Sequence, residues 1–293
     1  MSYTEEKQGF GWIPDMPDFR DYTPKTAKIS PLMEKAKLSD ISRRELPEST
    51  DLRRWCSPID NQLSLGSCQA HAAVGLVEYF ERRAFGKHID ASRLFLYKVA
   101  RKLGHWEGDS GATARATMGA LVLFGVPPEE YWPYTDNRPD FDVEPPAFCY
   151  AFAQNYQTIK YLRLDPPGIK REEILRTVKS YLASGIPSMF GFPVYDSFYL
   201  SRSSGNIPFP CTNERIRSGH IVMTVGYSDK KKIKNPNCDK EHTGALLIRN
   251  SHGTDWGEEG YGWMPYEWVL RGLAVDWWTL LKSEWVDTGQ FEG

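Results

Sequence analysis

Residues 61–86 read NQLSLGSCQAHAAVGLVEYFERRAFG, and this stretch decides the fold. Gly86 is suited to a left-handed residue that ends a helix. The pattern therefore predicts a buried helix that begins at Cys68, with Ser67 as its N-cap. The apolar positions that follow the small-residue turn have helical spacing: Ala73, Leu76, Val77, Phe80 and Ala84.

Cys68 is a candidate nucleophile because of its place at the start of this helix. Unpaired backbone N–H groups and the positive end of the helix dipole favour a thiolate over a thiol there. A lone cysteine at such a position is more often only a small buried residue. The catalytic interpretation therefore requires a base and an orienting group elsewhere in the chain.

Composition indicates a globular protein with a sizeable core. The chain has 293 residues, of which 41% are hydrophobic and 13% aromatic. A net charge of -2 gives no bulk electrostatic reason to expect nucleic acid or an anionic membrane as a partner. The first thirty residues contain several acidic residues and no continuous apolar run, so we expect no signal peptide, no transmembrane helix and a cytoplasmic location.

The cysteines are odd in number and widely spaced. No C-x-x-C pair is present, which argues against a disulfide scaffold and against a structural zinc site. At least one thiol should be free, and we expect neither a metal nor a cofactor. The five cysteines are Cys56, Cys68, Cys149, Cys211 and Cys238.

The chain divides into three parts by pattern. Residues 1–45 mix aromatics, prolines and aspartates, which suits an extended segment laid over a surface. Residues 46–154 form a mainly helical domain and residues 155–293 a mainly β domain, which predicts an α+β protein with its site in the cleft between them. Besides the helix at Cys68, the predicted helices span residues 94–100, 113–124 and 171–183, with a short one near 31–41, and the predicted strands span 156–164, 188–194, 220–227, 245–250 and 277–281.

The β domain supplies the partners that Cys68 requires. His220 opens the apolar strand that follows it, and Asn250 ends the next strand. His220 lies 152 residues after Cys68, and Asn250 lies 30 residues after His220. The first interval is close to the roughly 130–150 residues that separate cysteine and histidine in papain-like proteases.

These motifs resemble those of the papain family of cysteine peptidases over residues 46–285. Gln62 stands six positions before Cys68 in NQLSLGSC, and residues 250–262, NSHGTDWGEEGYG, are similar to the family's asparagine block. Residues 11–15, 65–68 and 264–267 look more like prokaryotic members than secreted cathepsins. The resemblance implies a two-domain fold with a helical left domain and a β-barrel-like right domain.

The resemblance also implies a role for each site residue. Cys68 would attack a peptide carbonyl, and His220 would protonate the leaving amine and then activate water. Asn250 would orient the His220 ring. Gln62 and the Cys68 N–H would stabilise the oxyanion, donors whose loss typically costs on the order of 3 kcal/mol.

Four residues depart from the family pattern near the site. Gln69 follows the nucleophile where the family has tryptophan or tyrosine, and His71 replaces an aromatic residue. His252 replaces the tryptophan that covers the Asn–His bond, so we expect a bond more open to water and a second imidazole that titrates between about pH 5 and 8. His71 and His252 are either a compensating pair or two independent replacements. Leu65 replaces a disulfide cysteine of secreted relatives, which favours a reducing compartment.

Four residues are candidates for substrate binding. Ser110 and Gly111 fall where the family has glycines that bind an extended substrate, and Gly111 is the better candidate because it has no side chain. An ordinary turn explains Gly111 almost as well. Gly66 and Gly219 complete the predicted set.

The sequence thus predicts a cysteine peptidase that hydrolyses peptide or protein substrates. Residues 1–45 would be an inhibitory prosegment, cut off between about Lys37 and Leu46, or alternatively a permanent strap on the β domain. Two other functions use the same residues: an inactive binding protein on this fold, and a thiol acyltransferase.

Overall fold

The computed structural model describes residues 9–36, 38, 45–154 and 159–291 of the chain. The N-terminal part begins with strand β1 (Trp12–Ile13) and helix α1 (Ser30–Lys35). Leu32 and Met33 of α1 are buried in the core, as is Ile29 just before it. This part of the chain therefore does more than lie over a surface.

The first half of the body is mainly helical. Helix α2 begins at Cys68 and ends before Gly86, whose φ of 73° requires the left-handed conformation, as predicted. Ser67 occupies the N-cap position of α2 as predicted, but its side chain makes no capping hydrogen bond. Its hydroxyl bonds to the Tyr134 hydroxyl instead (2.7 Å). The elements are β2 (Ser49–Asp51), α2 (Cys68–Phe85), α3 (Arg93–Leu103), β3 (Ala112–Thr113), α4 (Ala114–Phe124) and α5 (Ala147–Ala153).

Local capping explains where the next two helices begin. Ser92 accepts a hydrogen bond from the Phe95 N–H at the start of α3, and Thr113 accepts one from the Ala116 N–H at the start of α4. Ser92, and not the nearby Asp90, is therefore the N-cap of α3. Helix α4 ends at Phe124, before Gly125, which agrees with the end of the predicted span 113–124.

The second half contains the main sheet, in the order β4-β9-β5-β6-β7-β8, with β2 added beside β6. Neighbouring strands are antiparallel. This confirms the α+β class, but the described strands form an open sheet with β4 and β8 at its edges. The elements are β4 (Lys160–Arg163), α6 (Arg171–Ala183), β5 (Ser188–Tyr195), β6 (Ile216–Asn235), β7 (Lys240–Arg249), β8 (Tyr261–Pro265), α7 (Glu267–Leu270), β9 (Val275–Leu281) and α8 (Ser283–Val286).

Strand β6 is much longer than the apolar run at 220–227 predicts. Its lysine-rich end continues into a hairpin with β7, where Lys232 pairs with Glu241 (3.1 Å) and Lys234 with Asp239. These pairs of opposite charge stabilise the pairing of β6 and β7 beyond the buried part of the sheet.

A disulfide joins Cys211 to Cys238. The cysteine spacing, which argued against a disulfide scaffold, did not predict this bond. The described free cysteines are Cys56, Cys68 and Cys149, all buried. Spacing could not reveal this pair because the strand β6 between the two cysteines brings them together. Disulfides form mainly in oxidising compartments, so this one weighs against the predicted reducing location.

An ion-pair cluster connects α2 to α3. The Arg93 guanidinium lies 3.0 Å from the fully buried carboxylate of Glu78 in α2, and 2.7 Å from each of Asp60 and Asp90. Buried charges are tolerated when they are paired in this way. The cluster fixes the helix that carries Cys68 against its neighbour.

Candidate active site

Cys68 lies at the N-terminus of α2 and is fully buried. Burial raises the pKa of its thiol to about 11, although the backbone N–H groups of Ile221 and Gly11 oppose the shift. The thiol donates a hydrogen bond to Gln69 Oε1 at 3.5 Å. At neutral pH the group is therefore a neutral thiol in this structure, contrary to the thiolate predicted from its place on the helix.

His220 and Asn250 are joined by a hydrogen bond. His220 Nε2, on β6, donates to Asn250 Oδ1 (2.8 Å), just beyond the end of β7. Burial lowers the pKa of His220 to about 4, so its ring is neutral. Its Nδ1 has no hydrogen-bond partner within the described part of the chain. The Ile221 N–H, next in sequence to His220, helps to lower the pKa of Cys68, so this part of β6 lies beside the nucleophile.

Gln62 is connected to the same site through its side-chain amide. Its Oε1 accepts from the Ser251 hydroxyl (2.5 Å), next in sequence to Asn250. Its Nε2 donates to the carbonyl oxygens of Leu65 (2.8 Å) and Gly9 (2.9 Å). The sequence analysis predicts that the Gln62 amide donates to the oxyanion. In this structure the amide donates instead to the carbonyl oxygen of Gly9, in the N-terminal part.

Residues 9–15, here called the cleft segment, cover the site. The Gly9 carbonyl is bound by Gln62, and the Phe10 ring packs edge-on against His220 with centroids 5.3 Å apart. The Gly11 backbone lies near Cys68, since its N–H helps to lower the pKa of the thiol. Beyond it, β1 pairs with β3 in parallel, with Trp12 opposite Ala112.

The predicted substrate-binding glycines all contact this segment. A Cβ at Gly111 would lie 2.1 Å from the Gly11 oxygen, and Gly111 also has a φ of +77°. A Cβ at Gly219 would lie 2.8 Å from Trp12, and one at Gly66 would lie 3.1 Å from the Phe10 oxygen. A side chain at Gly111 or Gly219 would clash with the segment, whereas one at Gly66 would require its neighbour to shift by a few tenths of an ångström. Ser110 differs, since its hydroxyl bonds to the Gly111 carbonyl at 3.0 Å.

His252 covers the His220–Asn250 bond instead of opening it to water. Its ring stacks on that of His220, with centroids 4.8 Å apart and planes 22° apart. Its Nδ1 accepts from Asn250 Nδ2 at 3.2 Å. Burial holds the pKa of His252 well below its usual value, so the predicted titration between pH 5 and 8 is wrong for this covered site.

His71 and Gln69 take different positions around α2. His71 Nδ1 lies 3.1 Å from the Ser67 carbonyl oxygen, and its ring packs edge-on against Tyr134. Burial lowers the pKa of His71 to about 3. Gln69 is fully buried and contacts the nucleophile directly through its side-chain oxygen.

An acidic cluster that the sequence analysis missed holds the far end of the cleft segment. Asp276 Oδ2 accepts from Trp12 Nε1 (3.0 Å) and from the Asp15 N–H (2.9 Å). Asp276 Oδ1 lies 2.8 Å from Arg163, and Asp15 Oδ2 accepts from the Arg115 N–H at 2.9 Å. The left-handed φ of Asp276, 56°, has no signal in the residues around it.

The described residues contain no group of three His, Cys, Asp or Glu side chains arranged to hold a metal ion. Within the same residues, every helix is too short or too polar to cross a lipid bilayer.

Comparison with known proteins identifies the family. The sequence model of the papain family cysteine proteases matches residues 46–269, most of the chain. The chain belongs to the papain family. It is therefore a cysteine-type peptidase, and the predicted resemblance is confirmed.

Individual relatives agree with the papain-family assignment. The chain is 31% identical over 291 residues to an uncharacterized peptidase C1-like protein of Acanthamoeba polyphaga mimivirus, covering 96% of this chain and 89% of that protein. It is similar to xylellain, a cysteine protease from Xylella fastidiosa, with 32% identity, a TM-score of 0.75 and coverage of 94% and 97%. Procathepsin L2 from Tenebrio molitor shares the fold at 21% identity, with a TM-score of 0.66 and coverage of 94% and 78%. The chain spans only about 60% of the length of two plant cysteine proteases that it also matches.

Proposed function

We propose that this papain-family chain hydrolyses peptide bonds with Cys68 as nucleophile, His220 as acid and base, Asn250 as the orienting residue and Gln62 as oxyanion donor, and that its cleft segment inhibits it. One observation carries the proposal. The Cys68 sulfur, the His220 ring and the Gln62 amide are each contacted by consecutive residues of the cleft segment, Gly11, Phe10 and Gly9.

Displacement of the cleft segment would change the protonation of the pair. Water would then reach Cys68 and His220, which reduces the desolvation that keeps both groups neutral. The helix N-terminus and the imidazolium would favour the thiolate. His220 already donates to Asn250 through Nε2, which leaves Nδ1 to exchange a proton with Cys68.

The N-terminal part divides into a removable and an anchored region. Loss of the cleft segment would free the site, whereas loss of α1 would remove Ile29, Leu32 and Met33 from the core. Burying side chains of this size contributes about 1.5–3 kcal/mol each. This favours a retained strap for the α1 region. The predicted cutting region, Lys37 to Leu46, lies mostly outside the described residues.

The two other functions are less well supported. Gln69, His71 and His252 depart from the family pattern, yet the His220–Asn250 bond is retained, which favours catalysis over simple binding. A thiol acyltransferase would use the same residues and would be recognised from its products. A cytoplasmic location remains a prediction, against which the Cys211–Cys238 disulfide weighs.

The test uses the full-length chain and a Phe10→Ala variant, assayed with a peptide library under reducing conditions. This variant lacks the phenyl ring that packs against His220, so its cleft segment should be held less tightly and its rate of hydrolysis should rise at least tenfold. Cys68→Ala in that background should abolish it. Gln62→Glu keeps the acceptor for Ser251 but loses the N–H donor, and it should lower kcat by about 10²–10³.

Two results would contradict the proposal. Slow alkylation of Cys68 at neutral pH together with no hydrolysis, in Phe10→Ala as well as in the wild type, would indicate a binding protein instead. Equal activity of the wild type and Phe10→Ala would show that the cleft segment does not inhibit.

A further inference from the structure

Two loops form the walls of the channel in which the cleft segment lies. They are residues 63–66, here called the first wall, and residues 105–112, here called the second wall. The carbonyl oxygen at the start of the first wall accepts from the Gly9 N–H at 2.8 Å. The Ala112 N–H at the end of the second wall donates to the Gly11 carbonyl oxygen at 3.0 Å. Both contacts can form only if the two walls keep a fixed spacing.

A chain of three hydrogen bonds connects the two walls. Asp109 Oδ1, in the second wall, accepts from the Gly66 N–H of the first wall at 2.8 Å. The same oxygen accepts from the Tyr97 hydroxyl at 2.7 Å. This hydroxyl in turn accepts from the Gly111 N–H at 3.0 Å. Because the hydroxyl donates to a carboxylate while it accepts from an amide, each bond polarises and strengthens the other.

The helix α3 holds this chain of hydrogen bonds in place. Tyr97 of α3 is fully buried, and the Arg101 guanidinium, one turn later, lies over its ring at 4.2 Å. Arg101 also donates to the Gly108 carbonyl oxygen of the second wall. Gly66 and Gly111 are buried as well, so breaking the chain would leave their amides without an acceptor. The cost of a buried, unpaired donor exceeds what an ordinary hydrogen bond contributes.

We propose that Tyr97 and Asp109 are positioning residues that set the width of the channel, and that they thereby hold an extended peptide backbone between the walls. That backbone is first the cleft segment and then the substrate that displaces it. Neither residue acts on the peptide bond itself, since both work through the amides of Gly66 and Gly111. The role towards a substrate rests on the proposed function, whereas the hold on the cleft segment does not.

The first experiment measures amide hydrogen exchange by NMR in the full-length chain, which requires no hydrolysis. Tyr97→Phe removes one hydroxyl and keeps the ring, and Asp109→Ala removes the acceptor of the Gly66 N–H. Each change should raise the exchange rate of the Ala112 amide at least tenfold relative to amides in the middle of α2. The ratio is the quantity to compare, because a general loss of stability speeds exchange in α2 as well.

Three further variants test whether the link acts as one unit. In the double variant Tyr97→Phe, Asp109→Ala, the Ala112 amide should exchange about as fast as in either single variant, whereas independent effects would multiply. Asp109→Asn is the conservative variant, whose amide oxygen can still accept from both donors, and it should stay within about threefold of the wild type. Arg138→Ala is the matched control, because Arg138 is exposed and pairs with the other oxygen of Asp109 (3.4 Å). It should leave the ratio unchanged.

The second experiment measures hydrolysis of two substrates in the Phe10→Ala background. With a peptide long enough to lie along both walls, Tyr97→Phe should raise KM about tenfold and keep kcat within about twofold, because the walls bind the backbone away from the reacting carbonyl. Asp109→Asn should restore most of the KM that Asp109→Ala loses. An activated acetate ester, which is too short to reach both walls, should be hydrolysed at the rate of the Phe10→Ala parent.

The inference is overturned if the exchange ratio in Tyr97→Phe equals that of the wild type, if the two effects multiply in the double variant, or if Arg138→Ala acts like Asp109→Ala. A loss of ester hydrolysis as large as the loss of peptide hydrolysis would also overturn it. If neither substrate is hydrolysed by any variant, the proposed function is contradicted, and the exchange rates still decide whether Tyr97 and Asp109 hold the walls.

Discussion

At the level of single residues, Cys68 experiences two opposing influences on its pKa. A helix N-terminus stabilises a negative charge by about 0.3–1 kcal/mol at an exposed site. Burial raises the pKa from 9.0 to about 11, which corresponds to about 3 kcal/mol in the opposite direction. Desolvation therefore exceeds the helix dipole while the cleft segment is in place.

This balance predicts how Cys68 reacts with iodoacetamide. Only the thiolate reacts, so in the wild type the rate should rise about tenfold per pH unit from pH 7 to 10. In Phe10→Ala, where water reaches the sulfur, the rate should be higher at pH 7 and should level off at lower pH. The measurement is the alkylation rate followed by mass spectrometry of the Cys68 peptide.

Cys68→Ala serves as the control for alkylation of Cys56 and Cys149, which are also buried. A wild-type rate that levels off below pH 8 would show that the thiolate already exists beneath the cleft segment.

At the level of elements, the Glu78–Arg93 pair joins α2 to α3 at a fully buried position. Arg93→Met should leave the buried Glu78 carboxylate without its paired cation and should lower the free energy of unfolding by about 3–5 kcal/mol. Glu78→Gln combined with Arg93→Met should recover part of this loss, because the uncompensated charge is gone. Urea unfolding measures both values.

Equal destabilisation by the single and double variants would show that packing of the Arg93 stem, and not the buried charge, holds the two helices together. The exposed pair Lys102–Glu144, 2.7 Å apart, is a suitable comparison, since its loss should cost less than about 1 kcal/mol.

At the level of the whole molecule, a charged cluster ties the cleft segment to α4, β4 and β9. Asp15 and Asp21 of the N-terminal part, with Asp165 and Asp276, surround Arg115 and Arg163. Burial and the neighbouring Asp276 raise the pKa of Asp15 to about 6. The folded chain therefore binds a proton at Asp15 more tightly than the unfolded chain does.

The sign of the resulting pH effect follows from this raised pKa. Between about pH 4 and 6 the folded state holds the Asp15 proton and the unfolded state does not, so this contribution is lost as pH rises through 6. The buried histidines His71, His220 and His252 act in the opposite direction, because their pKa values are lowered. The contribution of Asp15 to the pH dependence of stability must therefore be measured as a difference between the wild type and a variant that lacks this carboxyl.

We expect the stability of the wild type minus that of Asp15→Asn to fall by up to about 3 kcal/mol between pH 4 and 7. Denaturant unfolding of both chains at several pH values measures this difference. Asn mimics the protonated carboxyl and can still accept from the Arg115 N–H. A difference that is constant with pH would show that Asp15 is ionised throughout, held by Arg115.

Local patterns in the sequence were sufficient to predict much of the fold. The start of α2 at Cys68 and its end before Gly86 follow from helical spacing and a glycine stop, which depend only on neighbours along the chain. The bounds of α6 agree with the prediction for the same reason. The division into domains at residues 46 and 155 stays a prediction.

Motif spacing was likewise sufficient to bring His220 and Asn250 together, since each lies at the end of a strand run that the sequence marks. The sequence did not predict that His252 stacks on His220 and covers the His220–Asn250 bond, because this contact depends on how tightly the site is closed.

Only the tertiary structure decided what covers the site and what state the site is in. Trp12 meets Asp276 across 264 residues of chain, and Gly9 meets Gln62 across 53. The Cys211–Cys238 pair likewise forms only through the path of β6. Spacing and periodicity report on residues near one another in sequence, whereas burial, and with it the pKa of Cys68, is the sum of contacts made by distant segments.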